Sequence, residues 1–106
     1  MQPLSVGTEG DVLTVALRGE IDFTNATPAT ETIRRAVAER RPARVRVDLT
    51  EVTFLDSSGI GVLVTAMRTA QEAGAAFQVE HPNVNVRDQL ATAGLLEAFG
   101  LASAEQ

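Results

Sequence analysis

Residues 44–61 read Arg-Val-Arg-Val-Asp-Leu-Thr-Glu-Val-Thr-Phe-Leu-Asp-Ser-Ser-Gly-Ile-Gly, and this stretch decides the fold class. Apolar residues alternate from Val45 to Leu49, which predicts a half-buried strand. The apolar positions continue through Phe54 to a polar junction, Asp56-Ser57-Ser58-Gly59, where we expect a helix to begin. The stretch therefore predicts a strand that leads directly into a helix.

The segment after the junction has the spacing of an amphipathic helix. Its apolar residues recur at i, i+3, i+4 and i+7, and they are Ile60, Leu63, Val64, Met67 and Ala70. Gly74 is expected to end this helix, since glycine is common just after a helix C-terminus.

The N-terminal third predicts a hairpin and then a helix. Leu4 to Thr8 is expected to form an edge strand, Glu9-Gly10-Asp11 a turn, and Leu13 to Leu17 an alternating half-buried strand. Thr27-Pro28 predicts a helix start, with a capping hydroxyl and a proline at the first helical position. Pro42 is expected to end that helix.

The C-terminal third predicts a strand, a helix and a short apolar ending. Phe77 and Val79 mark a third long strand that ends at His81-Pro82. Asn83 or Asn85 can cap a helix that Gly94 stops. We expect Leu95, Leu96 and Phe99 to cover one edge of the core and residues 100–106 to fray.

This alternation of strands and helices predicts an α/β fold. We expect a single domain over residues 1–106, with its core at about 4–99. Its mixed β-sheet, packed with helices, would have parallel right-handed βαβ crossovers after an N-terminal hairpin. The passage from Leu49 to Ser58 would lie at the carboxyl end of a central strand, where open α/β sheets usually meet ligands and partners.

The residue types that are missing exclude several functions. The 106 residues include no cysteine, which excludes disulfides, thiol catalysis and thiolate metal sites. All nine basic residues are arginine, so P-loop nucleotide binding, Schiff-base chemistry and a receiver-domain lysine are excluded as well. We therefore expect no metal and no cofactor.

The charge and hydropathy patterns predict where the protein works. A net charge of −5 argues against nucleic acid or an anionic membrane as the main partner. Six of the nine arginines lie between Arg34 and Arg46, and their simplest interpretation is a solvated helix end. No apolar run reaches the roughly 18 residues of a membrane span, and the first residues do not resemble a signal peptide. We expect a cytoplasmic protein.

The serines of the junction have two interpretations. A hydroxyl at a helix start faces unpaired N–H groups and the positive end of the helix dipole, so a phosphate there would be tolerated. Gly59 and Gly61 would keep the first turn bare for another protein, and Asp56 could orient the hydroxyl. Alternatively, Ser57 or Ser58 is simply an N-cap, which is the most common reason for serine at such a place.

The junction and two further segments resemble a known family. Val47-Asp48-Leu49, together with residues 52–61, closely resembles the signature of anti-sigma factor antagonists, which belong to the STAS family. Gly19-Glu20-Ile21-Asp22 is similar to the Gly-Glu-Leu-Asp marker of that family. Ala93-Gly94-Leu95-Leu96 with Phe99 resembles the family's third helix and the segment after that helix, so the resemblance spans about Leu4 to Phe99.

The resemblance implies a phosphorylation switch. It implies that the unphosphorylated protein binds an anti-sigma factor that is also a serine kinase, and that the kinase phosphorylates Ser57. A serine phosphatase would reverse the modification. The implied partner-binding residues are Asp22, Asp56, Ser58, Gly59 and Ile60. We expect a Gly59→Arg side chain to meet the partner and to leave the fold intact.

Two segments depart from the family pattern. The usual C-terminal strand and last helix are barely present, so the last helix is either missing or replaced by a short helix such as residues 95–99. The passage from Asp22 to Pro28 is slightly longer than in typical relatives.

Two rival functions remain. In an enzyme, Asp22, Ser57 and His81 would form a hydrolase triad. However, the nucleophile-elbow pattern needs glycine two residues before the serine, where Ser57 has Leu55 and Ser58 has Asp56. We therefore expect no enzymatic activity. The other rival is a non-switching STAS scaffold, either stressosome-like or an accessory to transport, that does not rely on Ser57.

Overall fold

A computed structural model describes residues 4–101 of the chain, and the predicted alternation of strands and helices is present in it. Four strands are formed, namely β1 (Leu4–Glu9), β2 (Val12–Ile21), β3 (Arg44–Leu55) and β4 (Ala76–Glu80). Three helices alternate with them, namely α1 (Ala26–Arg40), α2 (Ser57–Glu72) and α3 (Val84–Thr92).

The strands form one mixed sheet in the order β1-β2-β3-β4. β1 is antiparallel to β2 and joined to it by a tight turn, with Gly10 at a φ of 61°. β2, β3 and β4 are parallel, so α1 and α2 are the crossover helices. They contact each other, which places both crossovers on one face of the sheet. The predicted fold class is confirmed.

The alternation in β2 and β3 is interrupted before the strands end. Val45, Val47 and Leu49 are buried as predicted, but the next buried positions of β3 are Val52 and Leu55. The pairing of β2 with β3 shifts register near Arg18 and again near Glu20. Such irregularities change which face the subsequent residues present. Phe54 continues the apolar positions of the sequence, but it lies outside the core, and 45% of it is exposed.

Helix α1 starts slightly earlier than the sequence predicts. It begins at Ala26, so Thr27 and Pro28 lie in its first turn rather than at its cap. The proline is still tolerated there, because the first N–H groups of a helix have no acceptor within it. The helix ends at Arg40, and Arg41 adopts a left-handed conformation at the C-cap, just before Pro42.

Helix α2 buries a face that is displaced from the predicted stripe. Its buried residues are Gly59, Val62, Leu63, Ala66 and Ala70, whereas Ile60, Val64 and Met67 are only partly buried. The reason is that α2 contacts α1 as well as the sheet. Val62, which lines the groove between α1 and α2, and the buried Ala66 both lie outside the stripe that the sequence periodicity predicted.

Helix α3 covers the part of β3 that β4 leaves unpaired. β4 pairs with β3 only as far as Asp48. Beyond that point the Asn83 side chain donates to the carbonyl of Val52 (3.0 Å) and also caps α3 by accepting from Val86 N (2.8 Å). Gln89 then bonds both backbone groups of Leu55. The Asn83 and Gln89 side chains thus make hydrogen bonds to β3 that the backbone of a neighbouring strand would otherwise make. They hold the carboxyl end of β3 in place.

The residues after α3 form turns rather than the short helix that the sequence allowed. Phe99 N donates to the carbonyl of Leu95, and the carbonyl of Phe99 accepts from Val79 N of β4, each at 3.0 Å. Leu101 is buried, so it does not fray as predicted for residues 100–106. Residues 102–106 of that predicted tail lie outside the described part of the chain.

Candidate functional site at the start of α2

Ser57 is the first residue of α2, and its side chain is exposed. Within residues 4–101 its hydroxyl has no hydrogen-bond partner. The hydroxyl is free because the side chain of Asp56, rather than that of Ser57, caps the helix. A free, exposed hydroxyl at a helix start can be reached by a modifying enzyme without any unfolding.

The N-cap residue Asp56 bonds two different segments. Its Oδ1 accepts from Gly59 N at 2.9 Å, and its Oδ2 accepts from Phe23 N at 3.3 Å. The backbone N–H of Asp56 donates to the carbonyl of Ile21 (3.3 Å). The interpretation that a serine caps this helix is therefore wrong. Asp56 instead joins the start of α2 to the loop after β2.

The two serines of the junction lie in different surroundings. Ser58 is half-buried and lines a groove of about 290 Å³ between α1 and α2. The other lining residues are Ala26, Thr27, Thr30, Glu31, Arg34, Gly61, Val62 and Thr65. Ser57 is not among them. The two adjacent hydroxyls therefore differ in exposure: that of Ser57 is exposed and that of Ser58 is half-buried.

Gly59 has a backbone role that the sequence interpretation missed. It is buried, and a Cβ at this position would overlap the carbonyl oxygen of Ile21 and lie 3.1 Å from Leu55 Cδ2. Any side chain would therefore push α2 away from the end of β2. The expectation that Gly59→Arg leaves the fold intact was wrong. At Gly61, by contrast, a Cβ would meet nothing within 4 Å.

Asp22 organises the loop between β2 and α1. Its Oδ1 accepts from the backbone N–H (2.9 Å) and the hydroxyl (2.5 Å) of Thr24. Asn25 completes the loop, because its Oδ1 accepts from Asp22 N (2.9 Å) and its Nδ2 donates to the carbonyl of Glu20 (2.9 Å). The hydrogen bond from the Thr24 hydroxyl, together with that from its N–H, lowers the pKa of Asp22 below its ordinary value. Asp22 is therefore ionised at neutral pH.

Phe23 is an exposed residue that the sequence interpretation did not single out. It lies in the same loop, and 78% of it is exposed. Phe54, at the end of β3, is 45% exposed. In the sequence Phe23 continues the alternation of Leu17 and Ile21, so the apolar pattern gave no signal that Phe23 is exposed. Ile60, which was predicted to meet a partner, is half-buried and packs partly against the core.

The groups of the hypothetical hydrolase triad do not come together. β4 ends alongside Asp48, whereas β3 continues to Leu55, so His81 and Ser57 are separated by about 20 Å along the strand direction. His81 is an exposed strand-end residue, as predicted, and its Nε2 lies 3.8 Å from Glu80 Oε1.

Residues 4–101, which the structure describes, were searched for metal-binding groups and for membrane-spanning helices. They contain no group of three or more histidine or acidic side chains that could hold a metal ion. None of their helices has the length and the apolar content that crossing a membrane requires.

Residues 4–106 of the sequence match the STAS domain family. The chain belongs to the STAS domain family. Its mixed four-stranded sheet and three helices agree with that assignment. The sequence segments Gly19–Asp22 and 52–61, which resemble the family's markers, lie within the matched range.

Solved STAS-like structures share this fold. An anti-sigma factor antagonist from Mycobacterium paratuberculosis is 27% identical, with a TM-score of 0.81 over 91% of this chain and 80% of that one. The Bacillus cell fate determinant SpoIIAA in its phosphorylated form is 19% identical, with a TM-score of 0.70 over 87% and 84%. A sulfate transporter family protein from Wolinella succinogenes is 17% identical, with a TM-score of 0.74 over 88% and 75%.

Proposed function

We propose that this STAS protein is an anti-sigma factor antagonist controlled by phosphorylation of Ser57. Its unphosphorylated form binds a kinase-type anti-sigma factor in the cytoplasm and thereby frees a sigma factor. The kinase phosphorylates Ser57 and then dissociates, and a serine phosphatase restores binding. The observation that carries the proposal is the exposed, unpaired hydroxyl of Ser57 at the first position of α2. The similarity to the mycobacterial antagonist supports the general role.

The start of α2 can accept a phosphate without rearrangement. Because Asp56 already satisfies Gly59 N, a phosphate on Ser57 would displace no capping bond. The first N–H groups of the helix and the positive end of its dipole favour an anion by about 0.3–1 kcal/mol. We therefore expect the free phosphorylated and unphosphorylated proteins to have nearly the same structure.

The surroundings of Ser57 explain how a phosphate would disrupt a complex. The segments 20–26 and 53–61 carry the acids Glu20, Asp22 and Asp56 and no basic residue. A phosphate adds about −1.5 to −2 charges to this acidic surface. A partner that fits the unphosphorylated surface would have to bury that charge, which costs several kcal/mol when it is unpaired. The switch then works by local charge and bulk rather than by a change of fold.

The test of the switch is a titration that measures binding affinity for the purified kinase-type anti-sigma factors of the source organism. Three proteins are compared, namely the wild type, Ser57→Ala and Ser57→Asp. Ser57→Ala should bind as the wild type does and resist inactivation by the kinase and ATP. Ser57→Asp should bind roughly a hundredfold more weakly or worse. Tandem mass spectrometry should find the phosphate on Ser57.

Ser58 provides the matched control, since it is the adjacent hydroxyl and lines the groove between α1 and α2. Ser58→Ala should remain a substrate for the kinase. Phosphate found on Ser58 alone would overturn the site, and equal affinities for Ser57→Ala and Ser57→Asp would overturn the switch.

The likeness to the Wolinella sulfate transporter family protein favours one alternative function. In this alternative the domain is a non-switching STAS interaction module, either an accessory to transport or a stressosome-like scaffold. Its binding would not depend on the charge at Ser57. Titration with the Ser57 variants separates the two functions, because only the antagonist loses affinity with Ser57→Asp.

A further inference from the structure

Two aromatic side chains are exposed where β2 and β3 end. Phe23 lies two residues after β2 and is 78% exposed, and Phe54 is the penultimate residue of β3 and is 45% exposed. The pairing of Ile21 with Leu55 places the two strand ends side by side. Burying a phenylalanine side chain is favourable relative to leaving it in water. A small domain that leaves two of them exposed at one edge therefore has an unused source of binding energy there.

The loop that carries Phe23 is held in place before any partner arrives. The hydrogen bonds of Asp22 to Thr24 and of Asn25 to Asp22 and Glu20 close it on itself. The backbone N–H of Phe23 donates to Asp56 Oδ2. Because the loop is already ordered, burying Phe23 against a partner costs little further conformational entropy.

Phe23 is also directly tied to the residue that precedes Ser57. A single carboxylate, that of Asp56, contacts Phe23 N with one oxygen and Gly59 N with the other. The Phe23 loop therefore lies beside the start of α2, where Ser57 is the first residue. The ionisable residues of segments 20–26 and 53–61 are all acidic, so the two segments carry only negative charge.

We infer that Phe23 is the main apolar anchor for the anti-sigma factor and that Phe54 is a secondary contact at the same edge. This inference rests on the proposed function. The complementary surface of the kinase is an apolar pocket that receives the Phe23 ring, with basic residues on its rim facing Asp22 and Glu20. Exposed aromatic residues at the centre of interfaces commonly dominate binding. Ser57 then controls binding from beside the Phe23 anchor.

The test uses Phe23→Ala, Phe23→Leu and Phe54→Ala in the titration against the kinase that phosphorylates Ser57. Phe23→Ala should weaken binding by about thirtyfold or more. Phe54→Ala should have a smaller effect, and Phe23→Leu should recover most of the affinity, because it keeps an apolar side chain. The melting temperature of Phe23→Ala should stay within about 3 °C of the wild type, since an exposed side chain contributes little to folding.

Val84→Ala is the matched control, because Val84 is 75% exposed but begins α3. It should bind as the wild type does. Raising the salt concentration should slow association of every variant.

Each other outcome has a distinct meaning. If no kinase binds the wild type, or if Ser57→Asp binds as tightly as the wild type, the proposed function fails. If the wild type binds and responds to Ser57→Asp but Phe23→Ala binds unchanged, the anchor is wrong and the switch stands. If sedimentation shows a wild-type dimer that Phe23→Ala converts to a monomer, the occupant of this edge is a second copy and the inference is overturned.

Discussion

The four phenylalanines of this protein fall into two pairs with opposite surroundings. Phe77 and Phe99 meet edge to face, with ring centroids 5.8 Å apart, where the turns after α3 pack against β4. Phe99 is fully buried there. Phe23 and Phe54 lie at the carboxyl ends of β2 and β3, and both are exposed. The same residue type therefore closes the core at one place and is presented to solvent at another.

The aromatic side chains at the ends of β2 and β3 are exposed although the backbone that carries them is hydrogen-bonded. Asp56 bonds Phe23 N and Gly59 N, and Gln89 bonds Leu55. Hydrogen bonds therefore hold the backbone of this edge in place, although its two aromatic side chains are exposed. A rigid edge with outward aromatic residues suits recognition, whereas a buried aromatic pair suits stability.

The largest expected effect contrasts the two pairs directly. Phe99→Ala should lower the free energy of unfolding by about 3–5 kcal/mol, because it leaves a cavity in the core. Phe23→Ala should change it by no more than about 0.5 kcal/mol. Urea denaturation monitored by circular dichroism measures both. Similar losses for the two variants would mean that Phe23 packs against the core, and the contrast would be lost.

A smaller effect should show that the exposed edge depends on close backbone packing. Gly59→Ala should destabilise the protein by about 1–3 kcal/mol, because its Cβ overlaps the carbonyl of Ile21. Gly61→Ala, two residues on, has open space. It should stabilise the helix by about 0.5–1 kcal/mol. Thermal unfolding of the two variants is the measurement, and a Gly59→Ala protein as stable as Gly61→Ala would show that α2 does not approach β2 so closely.

The smallest expected effect concerns Asp22, whose pKa is lowered by Thr24. A carboxyl group with a lowered folded-state pKa adds stability above its unfolded pKa of about 3.9. That contribution is lost as the pH falls through the folded pKa. Thr24→Ala removes the hydroxyl and should raise the pKa of Asp22 toward its ordinary value. NMR titration of the Asp22 carboxyl carbon measures it, and an unchanged pKa would show that the Thr24 hydroxyl is not its partner in solution.

Much of this fold could be predicted because its signals are local. Alternation from Leu13 to Leu17 and from Val45 to Leu49 predicted strands, and Gly74 and Gly94 predicted helix ends. Asn83 was predicted as a cap of α3, and its side chain does accept from Val86 N. In each case the deciding residues lie within a few positions of one another.

The candidate site was predictable only in its position along the chain. The motif indicated the junction and, by resemblance, Ser57 within it, but it did not reveal Asp56 as the cap. The face of α2 was misplaced as well, because its contact with α1 could not be seen from the periodicity of one helix. The exposure of Phe54 could not be predicted either, because the register shifts between β2 and β3 leave no mark in the alternation.

By itself, the sequence determined the order of strands and helices, the family resemblance and the place of the Asp56-Ser57-Ser58-Gly59 junction, since each depends on neighbouring residues. Only the tertiary structure decided which groups meet at that junction. Asp56 reaches Phe23 across 33 positions of the chain, and Gly59 is required by a carbonyl that belongs to Ile21. Contacts between residues so far apart arise when β2 and β3 pair and α2 packs over their ends, and no local pattern specifies them.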